Sequence, residues 1–293
     1  MDPSLPVSAL SALRSGIVAR LRAAGCVYAE DEARVLLSAA GTPAELAVMV
    51  ERRVAGLPLE HIVGWAEFCG LRIAVDPGVF VPRSRTEFLV EQAVALARGA
   101  SGHAVGGPDG RPIVVVDLCC GSGAVGAALV DALDRVELHA VDIDPVAVRC
   151  ARSNLASTGS RVYEGDLYDP LPDRLRGGVD VIVANAPYVP TTAIDLLPRE
   201  ARLHEPLLAL DGGEDGLDTV RRVAAAAPLW LAAGGRLLVE TSEDQAPEAA
   251  EIFARSRLVP QTAYSDELGA TVVIGTASPS ADTVGHARRD TIA

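Results

Sequence analysis

From residue 113 onward, apolar runs at 113–118, 136–141, 179–184, 235–240 and 271–274 alternate with stretches of helical pattern. A chain that repeats strand and helix in this way is best satisfied by a parallel sheet with helices wound over both faces. The first turn of the series constrains it most. Val114-Val115-Val116-Asp117-Leu118-Cys119-Cys120-Gly121-Ser122-Gly123-Ala124-Val125-Gly126 runs from a buried strand through glycines into a helix. Such a turn lets a nucleotide lie against backbone N–H groups at the helix N-terminus. Gly121, Gly123 and Gly126 satisfy G-x-G-x-x-G, and Asp142 ends the next strand about twenty residues on, where an acid takes ribose hydroxyls. Turn and acid alone fit a dinucleotide as well as S-adenosyl-L-methionine.

Asp117 favours the second. At the strand end it would repel a pyrophosphate but suit a cationic sulfonium and its amino group; taken alone it also reads as a helix cap. Asp144-Pro145 has the pattern of an N-cap followed by proline at the first helical position, which leaves Asp142 for the ribose. Asp166, in Glu164-Gly165-Asp166-Leu167 after a short strand, can accept a hydrogen bond from an adenine amino group or stand as a surface-loop acid.

The run at 180–184 delivers Asn185-Ala186-Pro187-Tyr188 to the carboxyl edge of the sheet, where open α/β folds keep their ligands. An amide or exocyclic amine nitrogen is a poor nucleophile because its lone pair is delocalised, so methylation needs it held in line with the methyl. The Asn185 side-chain oxygen and the main-chain carbonyl of Ala186 can each accept one N–H of an –NH₂ group, and Tyr188 offers a flat apolar wall. No general base is needed before transfer, since the proton becomes acidic only afterwards. In isolation the same four residues are an Asn-x-Pro turn.

Composition removes other chemistries. All 26 basic residues are arginine, so Schiff-base, pyridoxal-anchoring, P-loop and Ser-Lys lysines are excluded. With 39 acids the net charge is −13, which argues against a nucleic-acid coat. Five cysteines (Cys26, Cys69, Cys119, Cys120, Cys150) and five histidines (His61, His103, His139, His204, His286) show no ligand spacing, so no metal is expected and the thiols are expected reduced. Hydrophobic residues at 49% give ample core, built from Ala, Val and Leu because aromatics are only 4%. The acid in Met1-Asp2-Pro3 and the lack of a long apolar run predict a cytoplasmic protein without a membrane span.

Ahead of the sheet, helical spacing covers Leu10, Leu13, Ile17 and Leu21, then residues 31–39, then a helix opened by the capping box Thr42-Pro43-Ala44-Glu45. The expected organisation is a helical substrate-recognition domain over 1–65, a hairpin linker over 66–83, whose apolar runs divided by Asp76-Pro77-Gly78 suggest a hairpin or an extended linker, a catalytic domain over 84–277 and a flexible tail over 278–293. Within the catalytic part a helix over 84–98 precedes an exposed Gly-rich loop at 99–112.

Taken together, the chain resembles the protein-(glutamine-N5) methyltransferases of the HemK/PrmC family. The resemblance rests on Gly56-Leu57-Pro58-Leu59-Glu60-His61-Ile62-Val63-Gly64, on Val81-Pro82-Arg83-Ser84-Arg85-Thr86-Glu87 against the family's P-R-P-x-T-E, and on Asp117 to Gly123 and Val141-Asp142. Further along it rests on Asn185 to Tyr188, His204-Glu205-Pro206, Gly212-Gly213-Glu214-Asp215-Gly216-Leu217, Glu240 and Gln245. It implies a Rossmann-like class I α/β fold with a seven-stranded, mostly parallel sheet behind a small helical domain and hairpin. It implies S-adenosyl-L-methionine as cofactor, with Asp117, Cys119, Gly121, Gly123, Asp142, Asp166 and Asn185 around it. The implied substrate is the glutamine of the Gly-Gly-Gln tripeptide of release factors, or a ribosomal protein, bound by Asn185, Ala186, Pro187, Tyr188 and Arg83. For Arg83 and Glu87 a plainer reading competes: Ser84 to Glu87 fits a capping box for the following helix.

Two residues depart from the family pattern. Ala186 stands where N-P-P-Y has its first proline, and Cys119 stands at the first glycine of D-L-G-T-G-S-G; Cys lacks glycine's freedom at positive φ. They suggest a divergent paralogue. Alternatives are a nucleic-acid amino methyltransferase, disfavoured by charge, an NAD-linked oxidoreductase, which leaves Asn185 to Tyr188 unexplained, and an inactive S-adenosylmethionine-binding interaction protein.

Overall fold

A computed structural model describes residues 7–101 and 111–278. At the N-terminal end, helices α1 (Val7–Ala23), α2 (Ala29–Ala39), α3 (Pro43–Val54) and α4 (Leu59–Val63) bury Leu21, Leu36, Leu46 and Val50 in a core of their own. Thr42 caps α3 by accepting from the Glu45 N–H at 3.1 Å. The Glu45 carboxylate reaches back past the cap to the Gly41 N–H at 2.8 Å.

Next come β1 (Trp65–Phe68) and β2 (Leu71–Ala74), an antiparallel pair with Phe68 opposite Leu71. The turn is Cys69-Gly70 and not Asp76-Pro77-Gly78, which follows β2. Cys69 and Gly70 have φ of 49° and 75°, the two left-handed values a two-residue type I′ turn requires. Cysteine is not a usual residue for the first of them, so the sequence hid this turn. A 3₁₀ turn at Ser84–Thr86 leads into α5 (Glu87–Ser101). The capping box expected at Ser84 to Glu87 does not form: Glu87 Oε1 accepts from the Cys69 N–H at 3.0 Å, fastening α5 to the hairpin turn. Since α5 runs to Ser101, the expected loop at 99–112 begins as helix; its residues 102–110, and the expected tail from 279, lie outside the described residues.

The main sheet has seven strands: β3 (Ile113–Leu118), β4 (Val136–Asp142), β5 (Arg161–Glu164), β6 (Val179–Ala184), β7 (Leu231–Thr241), β8 (Leu258–Ser265) and β9 (Ala270–Ala277). Their order is β5-β4-β3-β6-β7-β9-β8, and β9 alone runs against its neighbours. Helices α6 (Ala124–Ala132), α7 (Pro145–Asn154), α9 (Asp218–Trp230) and α10 (Ala246–Arg255) cover the faces, and α8 (Arg199–His204) sits in the long connection from β6 to α9. Adjacent residues of β3 enter different cores, Val115 one and Val116 the other, which is why the strand reads as an unbroken apolar run. Each such fully buried side chain contributes roughly 1.5–3 kcal/mol. The missed strand, β8, contains Pro260 and polar residues, a composition tolerated at a sheet edge.

The chain leaves β3 toward β4 and β5, then returns across the sheet to β6. This reversal opens a crevice beyond the carboxyl ends of β3 and β6. Those two ends carry the glycine turn and the Asn185 loop.

Candidate active site

In the glycine turn, Asp117 is 1% exposed, and its Oδ2 accepts from the Gly126 N–H at 2.9 Å. Burial pushes its carboxyl up to about 7, against the lowering effect of that hydrogen bond. Asp142 accepts from the Gly121 N–H at 2.8 Å and from the Asp144 N–H at 2.9 Å, and burial raises its pKa as well. Asp144 is the cap of α7, accepting from the Val146 N–H at 2.8 Å, as its spacing before Pro145 predicts. Cys119 has φ 55°: the position demands the left-handed backbone that the family's glycine takes freely, and a cysteine holds it at a cost of about 1–2 kcal/mol.

One cavity is lined by Asp117, Cys119, Gly121, Asp142, Asp166, Asn185, Ala186, Pro187 and Tyr188. Two of the expected residues are not on it. Gly123 opens α6 with φ 78°, and a Cβ there would meet Ala151 and Leu155 at 3.1–3.2 Å, so its smallness serves the packing of the turn on α7. Arg83 is ion-paired with buried Glu205. Asp166 is on the cavity but is bound to Arg222 of α9 at 2.6 Å, a partner that no local pattern marks. From α7, Asn154 holds both N–H and C=O of Ala74 and the carbonyl of Ser122, coupling the hairpin to the glycine turn.

The Asn185 loop is braced from three sides. Asn185 Nδ2 donates to the hydroxyl of buried Thr86 at 3.2 Å, which commits the nitrogen and leaves Oδ1 as the acceptor. Tyr188 donates its hydroxyl to Glu240 Oε1 at 3.2 Å, and the same oxygen takes the Arg85 Nε–H at 3.1 Å. Burial raises the Tyr188 pKa, so it stays a neutral phenol. Gln245 Nε2 donates to the carbonyls of Tyr188 and Asp215, both at 2.9 Å, while its Oε1 accepts from the Ser242 hydroxyl at 2.8 Å. Gly216 lies so close that a Cβ would stand 2.3 Å from the Tyr188 carbonyl oxygen. Distant motif residues, Gly216, Glu240 and Gln245, thus serve one purpose, the placing of Tyr188. Thr86 and Arg85 line the cavity too, and neither was singled out by sequence reasoning. A glycine turn with one buried and one partly buried carboxylate, facing the same cavity as a braced Asn-Ala-Pro-Tyr loop, can hold a cation and an amide nitrogen together.

A family model described as methyltransferase small domain matches residues 109–200. Among solved structures, a methyltransferase from Pyrococcus furiosus superposes with a TM-score of 0.51 at 15% identity, covering 71% of this chain and 90% of that one, a likeness of fold. The seven-stranded sheet and this likeness define the fold as that of the Rossmann-like class I methyltransferases. The release factor glutamine methyltransferase of Geobacter sulfurreducens is 38% identical over 238 residues, covering 80% of this chain and 78% of its own. That of Streptomyces coelicolor is 40% identical over 209 residues, 71% of each chain. The chain belongs to the release factor glutamine methyltransferase family.

Proposed function

We propose that the protein transfers a methyl group from S-adenosyl-L-methionine to the side-chain amide nitrogen of a glutamine, that of the Gly-Gly-Gln motif of a release factor. The observation that carries the reading is Asn185, anchored through Nδ2 on Thr86 and lining the same cavity as Asp117 and Asp142. The residues present fit the donor: buried Asp117 and partly buried Asp142 suit a cationic group and a ribose, Cys119 to Gly121 line the cavity, and Asp166 lies on it for the adenine. When bound there, the donor supplies an electrophilic methyl on a positively charged sulfur.

The chain's own part is positioning. Asn185 Oδ1 and the Ala186 carbonyl each accept one N–H of the glutamine amide, which fixes its nitrogen and stabilises the positive charge it gains. Pro187 stiffens the loop, and the Tyr188 ring supports the flat amide. The extra proton is lost to water after transfer, so no residue acts as base. Residues 1–65 and the hairpin within 66–83 would dock the protein substrate in front of the catalytic part at 84–277. An acidic chain of −13 would steer a basic partner in the cytoplasm toward it. Among the described residues no helix is long and apolar enough to cross a membrane. The test is to supply labelled donor to a lysate with the wild type and with Asn185→Ala, and to map the product by mass spectrometry. A methylated glutamine in a release factor, absent with the variant, is expected; label on RNA, or on no protein, would refute the reading.

A further inference from the structure

Arg85 occupies the variable position of the Pro82 to Glu87 segment, so nothing in the motif assigns it a task. The structure gives it one. It lines the cavity beside Tyr188, with its guanidinium carbon 5.7 Å from the centre of that ring. Its Nε–H is tied at 3.1 Å to Oε1 of Glu240, a carboxylate only 1% exposed, which also holds the Tyr188 hydroxyl. One buried oxygen therefore fixes both the wall for the acceptor group and the cation next to it. The two Nη groups have no hydrogen-bond partner among the described residues, and the side chain is 46% exposed. Arg83, two residues earlier, is spent on Glu205, and Arg222 on Asp166.

We propose that Arg85 is a substrate-binding residue whose Nη donors take a backbone carbonyl oxygen next to the methylated glutamine. The inference rests on the glutamine reading above. Two arguments select a neutral peptide carbonyl. The Arg85–Glu240 pair carries no net charge, so a phosphate or carboxylate gains little from it, whereas the fork of remaining N–H donors still suits an uncharged oxygen. The two residues before the glutamine of Gly-Gly-Gln are glycines without side chains, so on that side it can be recognised only through its backbone. Glu240 makes the fork rigid in advance, which lowers the ordering cost of using it.

The experiment measures methylation of a Gly-Gly-Gln peptide by wild type, Arg85→Ala and Arg85→Gln, with S-adenosylhomocysteine affinity as the check that the donor side and the fold are intact. Loss of a hydrogen bond from a charged donor should raise KM on the order of tenfold in both variants, a larger change than any in kcat, with donor affinity unchanged. Peptides carrying an ester in place of the amide before or after the glutamine add a readout that a structural role would not move. Wild type should discriminate against at least one ester, whose carbonyl is the weaker acceptor, and the variants should not. Unchanged KM, or variants that discriminate as wild type does, would overturn the assignment. Failure of the wild type to methylate any glutamine would overturn the functional reading and this assignment with it.

Discussion

Asp117 offers a sharp test because its stability and functional effects have opposite sign. Its ordinary pKa of 3.8 is pushed to about 7 by burial in the native protein. The native state therefore binds a proton that the unfolded chain has already lost between those values. Stability attributable to this group is fully present below about pH 4 and drains away as pH rises to 7. The pKa difference corresponds to about 4 kcal/mol at high pH, an upper figure since local relaxation softens it. Asp117→Asn keeps an acceptor for the Gly126 N–H while removing the ionisable group. The variant should then melt higher than wild type at pH 8 by several degrees, with the gap closing toward pH 4; groups lowered in the native state, such as Asp215 and Glu137, cancel in this comparison. Donor affinity should move the other way, falling about tenfold or more, because a carboxylate facing a cation is lost. Calorimetry across pH and donor titration read both. A variant that melts lower than wild type at pH 8, or binds donor equally well, would rule out a buried, cation-facing carboxyl at this position.

Cys119→Gly should be more stable than Cys119→Ala by up to about 1 kcal/mol, since only glycine relieves φ 55° without strain; equal melting temperatures would count against strain at this turn. Gln245→Ala removes three hydrogen bonds of 2.8–2.9 Å around Tyr188. Its expected cost is about 2–3 kcal/mol in stability, and on the order of tenfold in kcat with donor affinity unchanged, checked by denaturant melts and steady-state kinetics.

Where pattern and chemistry coincide, the sequence was legible. The strand-to-glycine turn at 113–126 and the run into Asn185 are both buried on two sides and end at the switch point, so apolar runs and loop residues mark them together. The cap at Asp144 followed from spacing alone. What escaped depends on pairings between distant residues. Glu87 fits a local capping box as well as it fits the Cys69 N–H, and only the folded hairpin decides between them. Arg83 and Arg85 are indistinguishable by type; Glu205 and Glu240, more than 120 positions away, determine which of them faces the cavity. Gly123 matched a nucleotide fingerprint but serves packing against Ala151, a steric fact with no sequence signal. The edge strand β8 was missed because half-exposed strands with proline carry no alternation to read.

The most direct measurement is a crystal structure with S-adenosylhomocysteine and a Gly-Gly-Gln peptide. The glutamine Nε2 is expected within about 3 Å of both Asn185 Oδ1 and the Ala186 carbonyl oxygen, hydrogen-bonding range, beside the Tyr188 ring. A glutamine amide seated elsewhere in the cavity, with the Asn185 carboxamide making no contact to it, would contradict the account.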